Sequence, residues 1–226
     1  MCGIAGFVRP SVDWDTEKLG HLATRMSSAL SHRGPDDAGN WVDPSVGVAF
    51  GHRRLSIIDL SVAGHQPMQS QDGRWVLSYN GELYNTPQLR EALVATGIRL
   101  RGSSDTEVLV ESFARFGVVE TLRRADGMLA LAVWDRRERT LSLARDRMGE
   151  KLLYWGWQGG TLLFGSELKA LRRHPDFRGD LDRSSAASML RYGYVPSPWS
   201  IYQGIAKLEP GTVLQIDPTA PGTERS

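Results

Sequence analysis

Cysteine occurs once in the 226-residue chain, and it is residue 2. Initiator methionine is commonly removed when a small residue follows it, so the mature chain is expected to begin with Cys2. Thiol and α-amine would then belong to one residue. A free thiol titrates near about 8.5 and an α-amine near about 7.7–8.0, so part of the amine is unprotonated at neutral pH. That amine can take the thiol proton and later return one to a leaving group. No Cys-His pair is needed. By type alone, Cys2 is also the small buried residue that many unreactive cysteines are.

A thiolate attacking an amide creates a tetrahedral oxyanion, which needs hydrogen-bond donors. Tyr79-Asn80-Gly81-Glu82 reads as a strand end entering a tight turn. From there the Asn80 amide and the Gly81 N–H could project into a cleft. Asn-Gly is equally the signal of a plain hairpin. An amino-acid substrate would also need a cation for its carboxylate and anions for its ammonium. Arg53 and Arg54, ahead of Leu-Ser-Ile-Ile-Asp59, offer a bidentate clamp. Glu82 and Asp105 offer acceptors. Taken singly, each of these charges is also a solvated surface group, and Asp105 also fits a helix start.

No metal site is expected. None of His21, His32, His52, His65 and His174 pairs with another at ligand spacing. His32 and His52 are assigned structural hydrogen bonds. No phosphate-binding glycine loop or dinucleotide fingerprint occurs, so no cofactor is expected in this chain. The seven tryptophans are scattered and read as core residues.

Something must position these groups. Strands are expected at 2–8, 41–42, 46–51, 75–79, 129–134, 140–144, 151–156 and 161–164. Residues 16–31 place Leu19, Leu22, Met26 and Leu30 on one helical face. Helices are expected at 86–96, with Thr86-Pro87 at its start, and at 104–116, with Ser104 and Glu107 at capping-box spacing. Shorter helices are expected at 166–173 and 182–190. Strands joined by short loops must be antiparallel. The fold class is therefore α+β, with mainly antiparallel sheets covered by helices. Residues 215–226 read as a tail or linker.

Composition narrows the function classes. Hydrophobic residues at 41% and charged residues at 23% are ordinary for a globular chain and exclude wholesale disorder. Lys+Arg at 27 against Asp+Glu at 26 leaves no electrostatic footprint for nucleic acid or an anionic membrane. No apolar run nears the roughly 18 residues of a membrane span. The start, MCGIAGFVRP, lacks the features of a signal peptide, so a cytoplasmic location is expected.

The motifs also form an ordered set. Cys2-Gly-Ile-Ala-Gly-Phe7, Ser31-His-Arg-Gly-Pro-Asp-Asp37, His52-Arg-Arg-Leu-Ser-Ile-Ile-Asp59, Gly64-His-Gln-Pro-Met68 and Tyr79-Asn-Gly-Glu-Leu-Tyr-Asn85 come first. Ser104-Asp-Thr-Glu107, Asp126-Gly-Met128, Ala144-Arg-Asp-Arg147 and Gly165-Ser-Glu-Leu-Lys169 follow. Together they closely resemble the glutaminase domain of glutamine-hydrolysing asparagine synthetases, over residues 2–214. Other class II amidotransferases also begin Cys-Gly-Ile. The Arg-Leu-Ser-Ile-Ile-Asp and Gly-His-Gln-Pro-Met blocks favour the asparagine synthetase branch. Leu152 stands where family members usually carry proline.

The resemblance implies an N-terminal-nucleophile fold, a four-layer αββα sandwich. It implies that Cys2 forms a glutamyl thioester and that Asn80 and Gly81 hold the oxyanion. Arg54 would hold the glutamine carboxylate, with Leu55, Ser56, Ile57 and Ile58 lining the site. Glu82 and Asp105 would accept from the glutamine ammonium. Residues 184–211 resemble the connection to a synthetase domain that activates aspartate with ATP and Mg. Its Ser-Gly-Gly-x-Asp-Ser loop does not occur in this chain. L-glutamine and a synthetase domain, in cis or in trans, are the expected partners, and a homodimer stays open. A non-catalytic glutamine-binding or regulatory module, and an amidotransferase for another carboxylate such as a sugar acid, stay open as alternatives.

Overall fold

Residues 1–10, 14–219 and 222–226 are described in the computed structural model. The chain begins with β1 (Gly3–Val8), α1 (Thr16–Ser28), β2 (Asp37–Asp43) and β3 (Val48–Arg54). A 3-10 turn at Val62–Gly64 leads into β4 (Met68–Gln69) and β5 (Trp75–Leu83). Three helices follow: α2 (Thr86–Val94), α3 (Asp105–Phe116) and α4 (Val118–Arg124). Then come β6 (Gly127–Asp135), β7 (Thr140–Arg145), β8 (Tyr154–Gln158) and β9 (Thr161–Gly165). The last elements are α5 (Leu168–Leu171), α6 (Arg183–Tyr192), β10 (Ala206–Lys207) and β11 (Val213–Ile216).

The strands form a six-stranded sheet, β10-β8-β9-β1-β3-β2, and a five-stranded sheet, β11-β7-β6-β5-β4. Every pairing between these strands is antiparallel. Strand alternation divides the core. Ile4, Val8, Phe50 and Phe164 of the first sheet meet Val76, Ala132, Trp134 and Leu143 of the second. Ala5, Phe7 and Ala49 face the other way, onto Leu19, Ala23 and Met26 of α1 and Leu171 of α5. The outer face of the second sheet packs Leu77, Tyr79 and Leu131 against Leu89, Leu109 and Phe113 of α2 and α3. This is the helix–sheet–sheet–helix sandwich that the resemblance implies. Each large apolar side chain fully buried in it contributes on the order of 1.5–3 kcal/mol before conformational entropy is counted.

His52 ties the two sheets together. It is fully buried on β3, and its Nδ1 lies 3.1 Å from Ser78 Oγ on β5. Burial pulls its pKa down to about 3, so the ring is neutral.

Part of the tail expected at 215–226 is instead built into the fold, while its residues 220–221 lie outside the described residues. β11 runs on to Ile216 and pairs with β7, and Gln215 bridges Arg225. The Trp157 indole also donates to Glu224 Oε1 at 2.7 Å. Without this strand the edge of β7 would expose unpaired N–H and C=O groups. Helix α4 has no counterpart among the expected elements. Its seven residues carry too short a pattern to separate from α3.

Candidate active site

The functional residues meet where β1 begins, β3 ends, β5 ends and α3 begins. Gly3 pairs with Arg53, so Arg54 and Leu55 fall beside Cys2. The Cys2 Sγ lies 3.4 Å from the Leu55 N and 3.6 Å from the Leu55 carbonyl oxygen. The Cys2 carbonyl accepts from Arg33 Nε at 2.9 Å. Arg33 Nη1 in turn donates to Glu167 Oε1 at 2.9 Å. Burial alone would raise the Glu167 carboxyl, but bonds from Arg33, Lys169 and His32 outweigh it and hold the pKa at about 2.

A cavity of about 120 Å³ opens over Cys2. It collects Arg54, Leu55, Ile57 and Ile58 from one segment, and Asn80, Gly81 and Glu82 from β5. Asp105, the first residue of α3, joins them. Ser56 is the exception among the expected site residues: it does not line the cavity, and its N–H donates to Asp36 Oδ2 at 2.8 Å. Arg53 is absent from the lining too. Alternation along β3 sends it to the opposite face from Arg54, so the expected two-arginine clamp reduces to Arg54.

Asn80-Gly81 is not a turn. β5 continues through it to Leu83, with Asn80 opposite Ala130 and Gly81 opposite Leu129 on β6. The unbroken partner strand overrides the local turn signal. Asn80 therefore projects from a rigid ladder. Its Nδ2 is buried and has no hydrogen-bond partner among the described residues.

The charges are arranged with equal economy. Arg54 is buried, and it donates to the Ser61 carbonyl at 3.0 Å and to the Asp59 carbonyl. Among the described residues it has no carboxylate partner, and neither Glu82 nor Asp105 has a cation. Asp105 Oδ2 accepts from the Tyr79 hydroxyl at 3.1 Å and from Leu83 N at 3.2 Å. Burial raises the Asp105 carboxyl, and these bonds only partly offset it. Burial likewise raises the Cys2 thiol, against the pull of the Leu55 N–H, the chain's terminal ammonium and Arg54. The resting thiol is therefore protonated and needs a base.

Several lining residues had no assigned role in the sequence. Gln66 Oε1 accepts from Tyr79 N at 2.7 Å, and its Nε2 donates to Thr106 Oγ1 at 3.3 Å. The Gly-His-Gln-Pro-Met motif marked this residue without showing its partners. Met1 and Lys151 also reach the cavity, with Lys151 Nζ 3.4 Å from Met1 Sδ. The loop before α3 is clasped to the Arg54 segment. Asp59 Oδ1 accepts from the Ser61 hydroxyl at 2.6 Å, and Oδ2 accepts from Ser103 N at 3.0 Å. Bonds from Ser61 and then Ser103 hold the Asp59 carboxyl at about 2.

The fold is shared with solved amidotransferases. The glutamine phosphoribosylpyrophosphate amidotransferase of Bacillus subtilis superposes with a TM-score of 0.67 at 21% identity, over 95% of this chain and 47% of that one. The glutamine amidotransferase domain family matches residues 1–225, and the chain belongs to that family. It is thus one of the class II glutamine amidotransferases, which are enzymes. Among curated proteins, asparagine synthetase [glutamine-hydrolyzing] 3 of Bacillus subtilis is 38% identical over 95% of this chain, which spans 34% of that protein. A putative asparagine synthetase [glutamine-hydrolyzing] 2 of Methanocaldococcus jannaschii is 31% identical over 96% of this chain and 44% of its own length. The chain therefore spans between a third and a half of the length of these relatives.

Proposed function

We propose that the chain, once Met1 is removed, hydrolyses the side-chain amide of L-glutamine as the glutaminase half of an asparagine synthetase-like amidotransferase. One observation carries this reading. Among the described residues, a buried arginine without a carboxylate, two carboxylates without a cation and a buried amide donor without an acceptor share one cavity with the chain's single thiol. An α-amino acid with a side-chain amide fills all of these vacant valences.

Arg54 takes the α-carboxylate, and Glu82 and Asp105 take the α-ammonium. The free α-amine of Cys2 removes the thiol proton, and the sulfur attacks the amide carbon. Asn80 Nδ2 and the Gly81 N–H hold the resulting oxyanion. As it collapses, the amine's proton passes to the leaving nitrogen, and ammonia departs from a glutamyl thioester. Water, deprotonated by the same amine, then hydrolyses the thioester to glutamate and restores the thiol. Leu55, Ile57 and Ile58 wall the substrate. The ammonia goes to an ATP- and Mg-dependent synthetase domain, in cis or in trans, that amidates aspartate. The relatives' printed names support that assignment. The reaction takes place in the cytoplasm.

The test is glutamate release from glutamine by chain whose intact mass shows Met1 removed, together with labelling of Cys2 by a glutamine-shaped affinity reagent. Turnover and labelling at Cys2 are expected. Absence of both would overturn the reading.

A further inference from the structure

Arg54 owes its position to a residue that never touches the cavity. Gly64 closes the 3-10 turn at Val62–Gly64 and is buried. A Cβ placed there would lie 1.9 Å from Arg54 Nη2, 2.5 Å from Cζ and 3.1 Å from Nη1. All three nearest atoms belong to the guanidinium. The same guanidinium is held by its donations to the Asp59 and Ser61 carbonyls. The glycine thus forms the seat on which the guanidinium lies flat.

The turn has no room to retreat. Gly64 N donates to the Ser61 carbonyl at 3.3 Å, and His65 N donates to the Val62 carbonyl at 3.1 Å. His65 Nδ1 lies 2.7 Å from Asp37 Oδ2, and Gln66 is pinned by Tyr79 and Thr106. The same segment presses on β2, where a Cβ at Gly39 would fall 2.1 Å from the Gln66 carbonyl. A methyl group at position 64 must therefore be accommodated first by the Arg54 side chain, the flexible body that supplies its three nearest atoms. The Gly64 φ lies outside the left-handed region, so alanine keeps the backbone.

We propose that Gly64 is a positioning residue that sets substrate affinity and specificity by reserving the place of the Arg54 guanidinium. The proposal rests on the reading that Arg54 holds the substrate carboxylate. Bidentate pairing demands tight placement, and a guanidinium pushed aside by more than an ångström loses it.

The experiment compares Gly64→Ala with the parent chain on two substrates, L-glutamine and its decarboxylated analogue 4-aminobutanamide. The parent should strongly prefer glutamine. A parent that does not discriminate would overturn the Arg54 reading itself, and the proposal with it. Given discrimination, Gly64→Ala should raise the KM for glutamine about tenfold to a hundredfold, the loss expected of a charge-assisted pair. It should leave kcat, the kinetics with 4-aminobutanamide and the rate of Cys2 alkylation by iodoacetamide unchanged. In an Arg54→Lys background the same substitution should add little, because its target is gone. An unchanged KM for glutamine would overturn the proposal. So would an equal loss on both substrates, full additivity with Arg54→Lys, or a Gly64→Ala chain that does not fold.

Discussion

The two walls of the cavity are built on different principles. The reacting wall is made of strands. Cys2 leads directly into β1, whose six residues are all buried, and Asn80 and Gly81 sit inside the nine-residue ladder of β5 against β6. The recognition wall, from Leu55 to Ser61, is irregular chain with Ile57, Ile58 and Leu60 exposed. It hangs on side-chain bonds: Arg54 to two carbonyls, and Asp59 to Ser61 and Ser103. Groups that stabilise a transition state gain from the rigidity of a ladder. A wall that only has to grip a carboxylate can be fastened locally, and such segments lie toward the low end of local stability.

Damage to the reacting wall should therefore appear in kcat. Cys2→Ala removes the nucleophile and should lower turnover by about 10⁴-fold or more while circular dichroism stays unchanged. Asn80→Ala deletes one oxyanion donor and should lower kcat by about 10²–10³-fold with little change in KM. If Asn80→Ala acted mainly on KM, the division between the walls would fail.

Damage to the recognition wall should appear in KM. Asp59→Ala breaks the clasp between the Arg54 segment and the loop before α3. It should raise the KM for glutamine about tenfold and leave kcat close to the parent value. A matching fall in kcat would show that the two walls move as one.

Acid should separate the regions in stability instead of in turnover. The ordinary histidine value is 6.5, and His52 is held at about 3. The unfolded chain takes up this proton first, so His52 lets stability decline as pH falls from about 6.5 toward 3, by at most about 1.4 kcal/mol per pH unit. Asp59 behaves differently. Its pKa is lowered from 3.8 to about 2, so its contribution is intact above about pH 4 and is lost as pH falls through 2. Denaturant titrations at pH 7 and pH 5 should show a shallower acid loss for His52→Gln than for the parent. Equal slopes would remove His52 from the account.

Much of this site could be read from residue types, but its supports could not. Cys2, Arg54, Asn80, Glu82 and Asp105 announce themselves because their chemistry is scarce and their order specific. Asn80-Gly81 misled as a local signal. The strand through it exists because β6, more than forty residues on, pairs along its whole length. The capping box expected at Ser104 forms only by half. Ser104 Oγ accepts from Thr106 N at 3.1 Å, but the Glu107 carboxylate turns to Arg101 N at 2.9 Å and Gly102 N at 2.8 Å. It fastens the preceding loop instead of closing the box. Gln66 and Gly64 sat in a visible motif without a visible function. What they do depends on distances to Tyr79, Thr106 and Arg54, which no spacing along the chain reveals.

The contact between Cys2 and Leu55 also makes the protein self-reporting. The thiol sits between the N–H and the carbonyl of one residue, and that residue begins the recognition wall. The frequency of a sulfhydryl stretch follows the strength of its hydrogen bonding, and this vibration falls in a spectral window where proteins are otherwise nearly transparent. With one cysteine in the chain, the band has a single source. An infrared or Raman spectrum, with no dye and no introduced residue, would register the arrival of a ligand at the far side of the cavity as a shift in the nucleophile's own signal.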